Sequence, residues 1–317
     1  MRSRPAAAQR LAYAARMRPG LYLAHKRPGE TSFSQVAALL EEARLAGIRK
    51  DKLPVCHGGA LDPFAEGLLL LLAGPATRLM ELIHAAPKTY QAQISWGAET
   101  DNGDLLGRVV REGDASLLTE AALEAALQPL LGWTEQVPPA HSNKRVGGER
   151  AYLRAHRGEA VELPASRVYL HQARFLEHDL PRWSRLSLVC RGGYYVRSLA
   201  RDLGRALGCG AHLGELRRTA IGPWLDPGTS GLRGLISGEA LLPWCPSRRL
   251  SEREAHAAIG RRAIERGSIE PPDWLAPAGF PLEPRPLVRG LREGKLIAML
   301  REEGAGLLTQ VTLGAGI

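Results

Sequence analysis

The stretch Cys56-His-Gly-Gly-Ala-Leu-Asp-Pro-Phe-Ala-Glu-Gly67, which runs directly into Leu68-Leu-Leu-Leu-Leu-Ala73, decides how the rest of the chain is read. Consecutive apolar residues without alternation predict a strand buried on both faces. The loop ahead of that strand is rich in glycine and sets Asp62 before a proline, so a carboxylate stands at the edge of a core. Taken alone, Asp-Pro is a common turn initiator and makes no case for an enzyme.

Working outward, Leu21 to Ala24 predicts a short strand, and Thr31-Ser32 offers a cap to a helix carrying Val36, Leu39, Leu40 and Ala43 at helical spacing, ended by Gly47. Downstream, Ala76 to Ala85 predicts a helix and Thr89 to Trp96 alternates as a half-buried strand. Thr119 to Leu131 predicts a second amphipathic helix and Ser187 to Cys190 a further strand. Val196, Leu199, Ala200, Leu203, Ala206 and Leu207 mark a third helix, closed by Gly208. This irregular order has neither the βαβ rhythm nor the glycine-rich phosphate loop of a doubly wound nucleotide fold, so the fold class is α+β. Residues 225–246, rich in Gly, Pro and Ser, predict a linker, followed by a basic helical segment from Ser251 to Arg266. Leu287-Val288, Leu296 to Leu300 and Leu307 to Leu313 then predict a small β-rich module.

With 317 residues and 44% hydrophobic composition the chain forms one large domain or two ordinary ones around a packed core, which excludes a disordered or collagen-like protein. A formal net charge of +9 favours polyanionic partners. Cys56, Cys190, Cys209 and Cys245 are too scattered for a metal knuckle or a disulfide framework and read as reduced thiols of a cytoplasmic protein. No apolar stretch approaches the roughly 18 to 20 residues of a membrane helix. Residues 1–19 carry Arg2, Arg4, Arg10, Arg16 and Arg18 with no acid, a flexible basic arm that lacks the apolar run of a secretory signal.

Further blocks stand in a fixed order. Lys26, Gly29 and Thr31-Ser32 come first, then His57 to Gly67, Lys88-Thr89-Tyr90, and Gly97-x-x-Thr100-Asp101-x-x-Asp104-x-x-Gly107. Pro138-Pro139 with Ser142, Lys144, Gly147 and Tyr152 follows, then Gly192-Gly-Tyr-Tyr-Val-Arg-Ser198 and Leu216-Arg217-Arg218-Thr219-x-x-Gly222. In these blocks the chain resembles the TruB family of pseudouridine synthases, from about Gly20 to Trp224, roughly two thirds of its length.

The resemblance implies a catalytic domain over residues 20–250 with a mixed, mainly antiparallel central sheet and flanking helices. It also implies an RNA-gripping insertion at about 138–170 and a PUA-like RNA-binding module over 251–317. The activity implied is site-specific conversion of uridine to pseudouridine at position 55 in the T loop of tRNA. The partner is then the T arm of tRNA, with no membrane, and the protein works as a monomer without cofactor or metal.

By the same resemblance Asp62 is the nucleophile, and a carboxylate can add either to C6 of uracil or to C1′ of ribose. Tyr90 stacks on the flipped-out base and removes the C5 proton, and Arg197 pairs with the catalytic aspartate to keep it ionised. Tyr195 and Leu216 line the uracil pocket, and His57 contacts the RNA beside the flipped nucleotide. Lys88, two residues before Tyr90, reads either as a phosphate contact or as a packing residue whose stem covers the strand, with the structural role favoured. The chain departs from the usual family residues at Arg27, Cys56, Gly58, Glu66 and His141-Ser-Asn143, and Glu66 brings a negative charge toward an anionic substrate.

Lys144, Arg145, Arg150, Arg154 and Arg157 stand against the single acid Glu149 between His141 and Arg157, either as a phosphate-gripping surface or as a solvated charged face. Two other readings compete with the enzyme: an RNA-binding tRNA folding chaperone with little or no catalysis, and a guide-RNA-dependent relative of the dyskerin type working inside a ribonucleoprotein. Intact Asp62, Tyr90 and Arg197 argue against the first, and the layout of the blocks is closer to the stand-alone bacterial form than to the second.

Overall fold

The structure is a computed structural model that describes residues 17–142, 144–159, 161–229, 231–282 and 287–317. Residues 1–16, most of the expected basic arm, lie outside the described residues. The chain forms two compact units: one takes residues up to Pro63, Gly67–Ala86 and Gly222–Ile317, and the other takes Phe64–Glu66 and Pro87–Ile221.

In the first unit the apolar run becomes the strand Glu66–Ala73, whose residues Leu68 to Ala73 are fully shielded from solvent. Its neighbours are antiparallel, Gly20–Lys26 in a continuous register from Gly20 opposite Ala73 to Lys26 opposite Gly67, and the short strand Val55–His57. Both faces are covered all the same. Leu69, Leu71 and Ala73 pack with Tyr22, Val36, Leu39 and Leu53, while Leu70 and Leu72 stand under Gly58 and Ile83. The helix Ser32–Leu45 supplies part of that cover and is capped by the Thr31 hydroxyl, which accepts from the Ser34 amide at 3.0 Å. The helix expected over Ala76–Ala85 is instead a 3-10 turn, Gly74–Leu79, followed by a short α-helix, Met80–Ala85. Pro75 at the start of the segment brings the tighter turn with it.

The expected linker over 225–246 is corrected by the structure: Gly231–Ile236 is a strand paired antiparallel with Gly20–Lys26. One of its glycines has a specific place in that strand. Gly234, at φ +69°, is the extra residue of a bulge opposite the Tyr22–Leu23 step, a conformation that favours glycine. The C-terminal part of this unit is a five-stranded sheet in the order Ser247–Arg249, Val288–Arg292, Lys295–Glu303, Gly306–Thr312, Ile264–Glu265. The helix Glu252–Ile259 packs on it and begins in a full capping box of Ser251 and Glu254.

The second unit is built on five antiparallel strands in the order Ala211–Ile221, Lys88–Trp96, Trp183–Cys190, Ser166–Asp179, Gly132–Gln136. Along Lys88–Trp96 every second residue is buried, so Lys88, Tyr90, Ala92, Ile94 and Trp96 share the covered face. Leu123 and Leu127 of the helix Glu120–Leu127 and Leu199 and Leu203 of the helix Val196–Ala206 are buried, and both helices pack on strands of this sheet. The first is shorter than its periodicity predicts, because Pro129 turns its last residues into a 3-10 segment. Among the described residues no helix is long and apolar enough to cross a membrane.

Candidate active site

Asp62 and its loop belong to the first unit, where the opening block of the sequence clamps it from two sides. Ser32 Oγ accepts from the Leu61 amide at 2.8 Å and donates to the Leu61 carbonyl at 3.2 Å. Beyond Asp62, the Pro63 carbonyl accepts from the Gly29 amide at 2.8 Å and from the ammonium of the fully buried Lys26 at 3.2 Å. Gly29 adopts φ +83°, which explains a glycine at this corner. The backbone on both sides of Asp62 is therefore fixed by groups more than twenty-five residues away in sequence, while the carboxylate itself stays half-buried. Removing the Ser32 hydroxyl tests the clamp. In Ser32→Ala the buried Leu61 amide loses its acceptor, and urea unfolding should show a loss of about 1–3 kcal/mol together with faster amide exchange at Leu61.

His57 ends the strand Val55–His57, opposite Leu71, and is half-buried. Two departures from the family pattern have local reasons. A Cβ on Gly58 would meet Ile83 Cγ2 at 3.0 Å and Leu72 Cδ1 at 3.3 Å, so this core is packed for a glycine. Glu66 Oε1 lies 3.9 Å from Arg217 Nε, both side chains partly exposed, so its negative charge stands beside a cation.

Tyr90, Lys88 and Leu216 are brought together in the second unit. Tyr90 is flanked by Leu188 on one strand and Arg218 on the other, with Leu216 opposite Ala92 two positions along. Arg218, of the Leu216-Arg217-Arg218-Thr219 block, is a site residue that the sequence reading missed. It is 1% exposed, and its Nη1 lies 3.5 Å from the Tyr90 phenolic oxygen with Cζ 6.0 Å from the ring centre. The signal was present as alternation: Leu216 and Arg218 are two apart, so a strand that buries one buries the other.

Lys88 is buried opposite Cys190 and Ile221. Burial, reinforced by the neighbouring Arg218 and Arg191 guanidiniums, lowers its ammonium from the usual lysine range to about 7, with Cys190 acting in the opposite sense. The same burial pushes the Cys190 thiol up to about 12. Between pH 7 and 9 the unfolded chain keeps a proton on Lys88 that the folded chain has shed, so stability rises with pH across that window. Above about 9 Cys190 opposes the trend, because the unfolded thiol ionises first. Urea titrations at pH 7, 8 and 9 should show this slope in the unaltered protein and its loss in Lys88→Met.

Tyr195 and Arg197 open the helix Val196–Ala206. The Gln136 side-chain amide grips the Tyr195 backbone at both ends, accepting from its N–H at 2.9 Å and donating to its carbonyl at 3.1 Å. Arg197 is buried and donates to the carbonyls of Asn102 and His141 at 2.9 and 2.8 Å, with Asp104 4.0 Å away. The block from Gly97 to Gly107 thus acts as the seat of Arg197: Asp104 Oδ1 accepts from Asn102 Nδ2 and the Leu106 amide, which rigidifies the turn.

In the expected RNA-gripping insertion the strands Arg145–Val146 and Glu149–Arg150 turn through Gly147-Gly148, both at positive φ, into the helix Ala151–His156. Arg157 pairs with Glu149 and Glu159, and Arg154 pairs with Glu159, so part of the cationic run is neutralised internally. Glu159 lies just beyond the window in which Glu149 was the single acid.

A chain of the crystal structure of a Cbf5-Nop10-Gar1 complex shares this fold, with TM-score 0.64, 20% sequence identity and coverage of 93% of this chain and 84% of that one. A chain of an H/ACA RNP bound to a substrate RNA containing 2′-deoxyuridine gives TM-score 0.63 at 18% identity, with the same coverage of 93% and 84%. The model of the TruB family pseudouridylate synthase N-terminal domain matches residues 46–196, and that of the tRNA pseudouridylate synthase B C-terminal domain matches residues 197–233. A tRNA pseudouridine synthase B of Arthrobacter sp. (strain FB24) is 39% identical over 304 residues, which covers 91% of this chain and 94% of the relative. That of Thermobifida fusca (strain YX) is 38% identical over 278 residues, 83% of this chain and 92% of the relative. The chain belongs to the TruB family of pseudouridylate synthases.

Proposed function

We propose that this protein isomerises uridine to pseudouridine in tRNA, at position 55 of the T loop, with Asp62 as nucleophile on a flipped-out base. The observation that carries the reading is the clamp on the Asp62 loop: Ser32, Gly29 and Lys26 fix the backbone on both sides of one carboxylate, the preorganisation a nucleophile needs. In the reaction the bond from N1 to C1′ breaks, the uracil turns, C5 bonds to C1′, the C5 proton leaves and N1 gains one. Atoms and electrons balance within the substrate, and the carboxylate is regenerated.

Tyr90 serves as stacking partner and as base for the C5 proton, Arg197 as the cation that keeps the nucleophile ionised, and Tyr195 and Leu216 as pocket walls. His57 contacts the RNA beside the target, and Lys88 and Arg218 support Tyr90 from the buried face. A uridine inside a folded loop must leave its stack, at a cost of a few kcal/mol that an aromatic partner offsets. The family match and the relatives' names support this reading over a chaperone without catalysis.

Incubation of the protein with unmodified tRNA transcript, followed by carbodiimide mapping, tests it. Pseudouridine at position 55 is expected. Bound tRNA without pseudouridine would overturn the reading and favour the chaperone.

A further inference from the structure

On the outermost strands of the second unit, Trp133 and Tyr169 stand opposite each other in register, with ring centres 5.1 Å apart. Tyr169 and Arg167 alternate with the buried Val168 and Leu170, so they point away from the core. Trp133 remains 42% exposed, unusual for the largest apolar side chain at the edge of a sheet. The Arg167 guanidinium lies over the indole with Cζ 4.6 Å from the ring centre, although Glu135 is its cross-strand neighbour. Arg191 approaches the same ring at 6.0 Å, and its amide donates to the Tyr169 carbonyl at 3.0 Å, which ties the start of the Gly192–Ser198 block to this strand. His171 extends the surface, its ring centre 6.1 Å from that of Tyr169.

We infer that this surface is a stacking platform for an unpaired base of the RNA substrate, separate from the residues assigned to the target uridine. The occupant follows from the chemistry. An exposed indole and phenol offer flat faces to a nucleobase, and two guanidiniums beside them offer cations to its phosphates, the combination that binds single-stranded or loop RNA without reading sequence. Arg167 and Arg191 outnumber Glu135, the acid paired in register with Arg167, and the chain as a whole carries +9, so the charge favours an anionic partner. The inference rests on RNA being the substrate and extends the proposed function to a second contact on that molecule.

The test uses the full chain and unmodified tRNA transcript, with Trp133→Ala, Trp133→Phe and Arg167→Ala beside the unaltered protein. Trp133→Ala should weaken tRNA binding about ten-fold, Trp133→Phe less than about three-fold because a stacking face is kept, and Arg167→Ala should flatten the salt dependence by about one unit of slope. Single-turnover conversion at saturating tRNA should be unchanged in all three, which also shows that they fold. A Trp133→Ala protein that binds tRNA as tightly as the unaltered one while converting it normally would overturn the platform. So would an equal loss in Trp133→Phe. If the unaltered protein binds tRNA without making pseudouridine, the proposed function fails, while the affinity ratios still decide the platform.

Discussion

Asp62→Asn is expected to abolish pseudouridine formation, with a fall in single-turnover rate of at least about a thousand-fold, while binding of tRNA changes by less than about three-fold. Asparagine matches aspartate in shape and cannot form the covalent adduct, so the loss is chemical rather than steric. The clamp on the loop survives the change, because Ser32, Gly29 and Lys26 hold it through the backbone of Leu61 and Pro63. The variant should therefore keep its loop in place and stay folded, which a thermal melt checks. Quench-flow conversion, filter binding and a thermal melt on one preparation separate the alternatives. Conversion within about ten-fold of the unaltered rate would remove Asp62 from the chemistry.

Tyr90→Phe is expected to lower conversion by about a hundred- to ten-thousand-fold, the range for loss of a positioned acid or base. The ring sits between Leu188 and Arg218 in register, and phenylalanine fills that space without the oxygen 3.5 Å from Arg218 Nη1. Stacking and tRNA affinity should persist. Tyr90→Leu loses the flat face as well, so it should weaken tRNA binding in addition to slowing conversion. If Tyr90→Phe converts at the unaltered rate, proton removal from C5 belongs to another group and Tyr90 only stacks.

Several elements were legible because local physics decides them. Leu68 to Ala73 has no polar residue with which to face water, so its burial on both faces follows from composition, and it is buried between antiparallel neighbours. Thr31 and Ser251 cap helices because their side chains reach the next turn's amides without help from elsewhere. The alternation expected over Thr89 to Trp96 is present in the strand Lys88–Trp96. By contrast, residues 231–236 lie in a stretch rich in Gly, Pro and Ser and are interrupted by Gly234, so local sequence does not announce a strand, and pairing with Gly20–Lys26 makes them one.

The site divides in the same way. The order of blocks in the sequence was enough to identify the family, and the roles proposed for Asp62, Tyr90 and Arg197 come from that resemblance. What Lys26, Gly29 and Ser32 do for Asp62, what the Gly97–Gly107 turn does for Arg197, and where Arg218 stands beside Tyr90 were decided by tertiary structure. The physical reason is range. A cap, a turn or a strand period acts over a few residues and leaves its mark in local sequence, whereas a hydrogen bond between residues 29 apart, or a guanidinium 128 residues from its phenol, exists only once the chain has closed on itself.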